Sequence, residues 1–238
     1  MNNQYGPTSN KNVRKAISYA FDYDAIQKIW LDSSQLLKGP LPSKEWVDEN
    51  LVVYRQDMNK AKQELAKSPW PNGNFTLDYV YVTGLDEERE VGLLLKKQLA
   101  KLNITVNIIP MLWSDAVELF KDPKKSPDMF PLYSSSSYSD PDNYLWSSYH
   151  SSKAGDWTNP GWYSNPEVDK LLEMGRKTLN KEERKKIYFD AQNMIVEDAP
   201  NIFGISPPDF HVISPKIKGY DYCPVQGSDE EFYWVRLE

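Results

Sequence analysis

FTLDYVYVTGLDEEREVGLLLKKQLAKLNITVNII, residues 75–109, changes its period twice. Residues 75–82 alternate and are rich in strand formers, so they predict a β-strand. Residues 86–102 are acidic first and basic later, the order a helix dipole favours, and predict an α-helix. Residues 104–109, ITVNII, predict a second strand. Trp113 to Phe120 follow as a short helix. DMFPLY, residues 128–133, reads as a third strand that Pro131 confines to an edge or a ragged end. Strand, helix, strand, helix, strand is an α/β rhythm, whose sheets are usually parallel with right-handed crossovers. Ligands of such sheets sit beyond the carboxyl ends of the strands. The chain leaves that end through SSSSYSDPDNYLW, residues 134–146.

Helical signals surround this unit. Val13, Ala16, Ile17 and Ala20 stand at helical spacing in residues 12–21. Asp22 is placed to cap a second helix, and Asp57 a third over residues 57–67 that PWPNG stops. Residues 31–57 read as an irregular crossing segment. Asn165, Pro166 and Glu167 open a helix with Val168, Leu171 and Leu172 as its buried stripe. Asn180 with Glu183 matches the capping-box idea and opens another helix that runs to about Ala199, before Pro200. The helices from 165 to 199 are expected to cover the sheet. Residues 215–232 read as an exposed crossing, and FYWVRL, residues 232–237, as a terminal strand.

A chain of 238 residues is ample for a core, and 40% hydrophobic with 26% charged residues is the balance of a soluble globular protein. A formal charge of -6 gives no electrostatic reason to bind nucleic acid or an anionic membrane. No apolar run is long enough for a membrane-spanning helix. The single Cys223 forms no internal disulfide. The opening MNNQYGPTSNKN has neither the basic nor the apolar region of a signal peptide, and reads as a linker or ragged end.

Signs of catalysis are missing. Two histidines and one cysteine supply no zinc set. Asp140 and Asp142 partly match a calcium loop that lacks its glycine and closing glutamate; the plainer reading is a turn at Asp140–Pro141, with Asp142 or Asn143 capping a short helix. No GxSxG elbow, phosphate loop or distinctive carboxylate pair occurs. The expectation is therefore no catalytic residue, no metal and no cofactor. Rings between 133 and 163 are dense, and they either fill the core or line a cleft where hydroxyls orient a ligand. Trp113, after ITVNII, joins Tyr133, Ser134, Ser137, Tyr138, Trp146, Trp162 and Tyr163 as candidate ligand-binding residues. Lys153 is the one cation of that stretch, which argues against an anionic ligand.

Four segments together carry a family resemblance: NVRKAISYAFDYDAI, SDPDNYLW, NPGWYSNPEVDKLLEMG and LNKEERKKIYFDAQNMIVEDAPNIF. In this order they resemble the extracellular solute-binding proteins of the dipeptide and oligopeptide ABC importers (family 5). The resemblance implies the second lobe of a periplasmic-binding-protein-like two-lobe α/β fold, a mixed sheet with flanking helices. It implies residues 1–238 as one domain, with a tail from about 214 that would return to a first lobe absent from this chain. It also implies a carboxyl-half fragment, a small polar solute (oligosaccharide or peptide) in an interlobe cleft, and an ABC permease as partner of the intact protein. The location implied is the periplasm or the extracellular face of the cytoplasmic membrane. Peptide-binding members carry an aspartate where Ser137 stands and a tryptophan where Ser134 stands. Hydroxyls in those places suit a neutral sugar better than a free-amino peptide. Two rival readings are a structural or interaction domain whose rings are all core, and a small hydrolase using Asp140 or Asp142.

Overall fold

The computed structural model describes every residue except 31, 32, 43, 139, 209, 210 and 222–231. Cys223 and most of the expected crossing at 215–232 thus lie outside the described residues. Eight α-helices run through the described residues: α1 (Lys11–Ala20), α2 (Tyr23–Ile29), α3 (Met58–Ala66), α4 (Asp86–Leu99), α5 (Trp113–Phe120), α6 (Pro141–Tyr149), α7 (Pro166–Lys177) and α8 (Lys181–Asp198). The strands are β1 (Gln35–Leu36), β2 (Phe75–Val82), β3 (Ile104–Met111), β4 (Ile205–Ser206), β5 (Ile217–Lys218) and β6 (Arg236–Leu237).

β2 and β3 form a parallel pair in register from Phe75↔Ile104 to Val82↔Met111. Leu77, Tyr79, Ile104 and Val106 are buried on one face, as the alternation requires, and Val80 is buried on the other. α4 is the crossover and packs on both strands. Asp86, Glu87 and Glu88 occupy its first turn, and Lys96 and Lys97 its last. Gly92 lies where a Cβ would come within 2.6 Å of the Tyr79 ring, so its missing side chain lets helix and sheet approach.

Two expectations are corrected here. Residues 128–133 make no third strand. Met129 alone bridges Tyr79 in parallel, its N–H donating to the Asp78 carbonyl at 3.0 Å and its carbonyl accepting the Val80 N–H at 3.1 Å. Pro131 has no N–H to continue the ladder. The helices from 165 to 199 do not cover the sheet, which α4 covers; α7 and α8 pack chiefly on each other, and α6 packs on α7.

The helix caps fall where the sequence places them. Asp22, Asp57, Asn165 and Asn180 each accept a backbone N–H of the first turn, Asn180 from Glu183. For α6 the cap is Asp140, not Asp142 or Asn143; its carboxylate accepts the Asp142 N–H, and Pro141 takes the first helical position.

The chain start is not ragged. Asn2 is buried, and its side-chain amide donates to the carbonyls of Pro123 and Ser126 at 2.8 and 3.1 Å. The Asn3 N–H donates to Gly161 at 2.7 Å. Further along, the buried Arg14 guanidinium donates to Thr8, Ser9, Asp198 and Ala199 carbonyls and so fastens α1 to the end of α8. The apolar core is one connected cluster that includes Ile17 of α1, Leu77 of β2, Leu145 of α6 and Ile195 of α8.

FYWVRL is less regular than a strand. Phe232–Trp234 form a 3-10 turn with exposed rings, and only Arg236 and Leu237 pair, antiparallel, with Lys218 and Ile217.

Candidate functional site

After its bridge to β2 at Met129, the chain runs from Phe130 to Ser136 along the wall of a groove of about 760 Å³. The opposite wall comes from residues 201–208, where β4 pairs with β1 and the Leu37 N–H donates to Gly204. Tyr149 of α6 lies between them, buried, its hydroxyl accepting the Asn201 side-chain amide at 2.9 Å. Trp30 and Tyr133 meet edge to face at 6.2 Å on the rim. Burial pushes the Tyr133 phenol up, and the negative charge of Glu88 adds to this.

Of the eight candidate residues, Tyr133 and Ser134 line this groove, together with Ser135 and Ser136. The other six are placed elsewhere. The Ser137 N–H donates to the Asn143 side chain at 3.1 Å. The Tyr138 hydroxyl donates to Asp142 at 2.8 Å, and burial and that carboxylate both raise its phenol. Trp146 is sandwiched, with the Arg176 guanidinium 3.4 Å from its ring and the His150 imidazole stacked at 3.7 Å. Trp113 does not line the groove; it joins Trp157, Phe120 and Phe130 in an aromatic cluster that meets the groove only through Phe130. Trp162, at φ +56°, donates its indole N–H to the Phe120 carbonyl at 2.8 Å. Tyr163 is a core residue, 4% exposed, whose hydroxyl donates to Asp198.

The acids of SDPDNYLW serve the fold. Asp140 is gripped by Arg184, and Asp142 by Arg176 through Nε–Oδ1 at 2.7 Å and Nη2–Oδ2 at 3.0 Å. Side-chain hydrogen bonds to the two acids come from arginines and Tyr138, and among the described residues none comes from a serine or histidine. Nor do three or more His, Cys, Asp or Glu side chains among the described residues gather to hold a metal. Several rings of the 133–163 stretch, Tyr133, Tyr138 and Trp157, are exposed.

One groove residue stands outside the sequence expectations. Glu88, in the first turn of α4, lines the groove although it is 2% exposed. In the sequence it is one of three consecutive first-turn acids, and no local signal separates it from Asp86 and Glu87.

The α/β crossover unit thus carries an open groove beside its sheet. Known proteins place it further. The family model described as "Bacterial extracellular solute-binding proteins, family 5 Middle" matches residues 1–156. Heme-binding protein A of Haemophilus influenzae is 31% identical over 242 residues, covering 100% of this chain and 43% of that protein. Oligopeptide-binding protein AppA of Bacillus subtilis is 28% identical over 90% of this chain and 42% of its own length. The solved structure of the ABC transporter-associated periplasmic binding protein DppA from Helicobacter pylori, in complex with peptide STSA, superimposes with a TM-score of 0.87 at 26% identity. That match covers 100% of this chain and 46% of the other. The chain belongs to the family 5 bacterial extracellular solute-binding proteins. It spans less than half the length of these relatives.

Proposed function

We propose that these residues form one lobe of the substrate-capturing component of an ABC importer, and that the groove along Tyr133–Ser136 is this lobe's share of the solute site. The carrying observation is the groove itself: the serine run on one wall, residues 201–208 with β4 on the other, and the Trp30 and Tyr133 rings beside them. Hydroxyls and aromatic faces suit a small polar solute. A peptide is favoured over an oligosaccharide, because relatives of this chain are named for oligopeptides and for di- and tripeptides. Residues from about 214 would return to the first lobe, and the closed pair of lobes would be what the permease reads. The location proposed is the periplasm or the outer face of the cytoplasmic membrane.

A single lobe keeps only part of the contacts that closure supplies. Saturation-transfer NMR on the 238-residue chain should therefore detect short peptides binding on the order of 1 mM, near -4 kcal/mol. Maltotriose binding with no peptide signal would move the solute class to sugars. No signal from either class would remove the groove reading.

A further inference from the structure

Glu88 is the only acid among the described residues that line the groove, and no Lys, Arg or His lines it. Its Oε2 accepts the Val82 N–H at 2.8 Å, and its main-chain carbonyl accepts the Tyr79 hydroxyl at 2.7 Å. No ion pair reaches it among the described residues. Three other acids withdrawn from water have cations, Asp142 from Arg176, Asp140 from Arg184 and Asp198 from Lys11, whereas Asp128, which lies outside the groove lining, accepts the Asp78 N–H. Burial pushes the Glu88 carboxyl up, the Val82 N–H opposes this, and Glu87 pushes the same way as burial. A carboxylate taken from water with one hydrogen bond and no counter-charge is costly. A groove whose only charged side chain among the described residues is such a carboxylate is complementary to a cation.

The neighbouring rings fit the same ligand. Trp30 and Tyr133 line the groove with Glu88, and the Glu88 charge is felt at the Tyr133 phenol. Aromatic faces attract an ammonium group, more strongly where water is excluded. Extending the proposed solute-binding role of this groove, on which this inference rests, we infer that Glu88 receives a primary ammonium group of the solute, with the Trp30 and Tyr133 rings flanking it. The ammonium can be a peptide's terminal amine or a lysine-type side chain, since both present the same three donors.

Amide-shift titrations of the full 238-residue chain test this with three probes: dialanine, Nα-acetyl-dialanine and Nα-acetyl-lysine amide. An amine-bearing probe should bind at least about ten-fold more tightly than acetyl-dialanine, and Glu88→Gln should abolish that preference. Binding of dialanine alone assigns the terminal amine, and of acetyl-lysine amide alone the side-chain amine; each supports the inference. Equal binding of all three probes, unchanged in Glu88→Gln, overturns the role of Glu88 and leaves the groove reading standing. Failure of all three probes to shift groove amides overturns the groove reading and this inference with it. If Glu88→Gln loses its fold by circular dichroism, the comparison of acetylated and free probes on the unsubstituted chain decides.

Discussion

Arg184 holds Asp140 at both oxygens, Nη1 to Oδ2 at 2.6 Å and Nη2 to Oδ1 at 2.8 Å. The same carboxylate accepts the Asp142 N–H and so caps α6. Arg184 also donates through Nε to the Gly175 carbonyl at 2.8 Å. One side chain of α8 thereby ties the last turn of α7 to the start of α6, and the Asp-Pro turn that follows the groove wall is fixed from behind.

Asp140→Ala removes cap and charge partner together and should cost about 2–3 kcal/mol. Asp140→Asn keeps a good capping residue and should lose roughly half as much. Urea unfolding midpoints measure both; equal losses would mean that the cap contributes nothing.

The same pair sets a pH dependence. Burial pushes the Asp140 carboxyl up, but Arg184 and the Asp142 N–H outweigh it and hold the group below its ordinary value. A carboxyl depressed in the fold contributes stability above its unfolded pKa of about 4 and loses it as pH falls through the folded value. The stability gap between the unsubstituted chain and Asp140→Asn should therefore close as pH drops below about 4. A gap that stays constant from pH 7 to pH 3 would detach the pair from acid stability.

Arg176 combines a two-point grip on Asp142 with a position 3.4 Å from the Trp146 ring. Arg176→Lys keeps the charge and loses both the fork and the flat stacking surface. A loss of about 1 kcal/mol is expected, at the low end because the Arg176 side chain is 40% exposed. Thermal denaturation of the two proteins side by side gives the difference, and an unchanged Tm would contradict it.

Gly92→Ala normally favours a helix by up to about 1 kcal/mol. Here the new Cβ would stand 2.6 Å from Cε1 and 2.8 Å from Cδ1 of Tyr79, a 2% exposed ring whose hydroxyl is fixed on the Glu88 carbonyl. The ring cannot move aside, so the substitution should destabilise by about 1–3 kcal/mol. A rise in Tm would show that α4 slides more freely than its packing implies.

Where a signal was local, the sequence was legible. β2 and α5 end where their patterns end, and Asn180 accepts the Glu183 N–H that its spacing promised. Family motifs at 139–146 and in α7 and α8 point to the lobe. What failed depended on distant partners. DMFPLY has strand composition, yet only Met129 meets β2. Asn2 looks like part of a polar tail until its amide finds Pro123 and Ser126. The turn at Asp140 and Pro141 is legible, but the ion partners of Asp142 and Asp140 are not, because Arg176 and Arg184 lie far along the chain. Ser137 drew notice for the charge it lacks, while the groove's carboxylate comes from α4, where Glu88 reads as an ordinary dipole acid.

In the proposed function, solute is held at the groove and not at the aromatic surface around Trp113 and Trp157. Amide-shift mapping of the 238-residue chain titrated with a mixture of short peptides compares the two directly. Shifts are expected at residues 131–136 and 201–206, with the amides of Leu112, Trp113 and Trp157 unmoved. Shifts confined to Leu112, Trp113 and Trp157, with residues 131–136 silent, would contradict that placement.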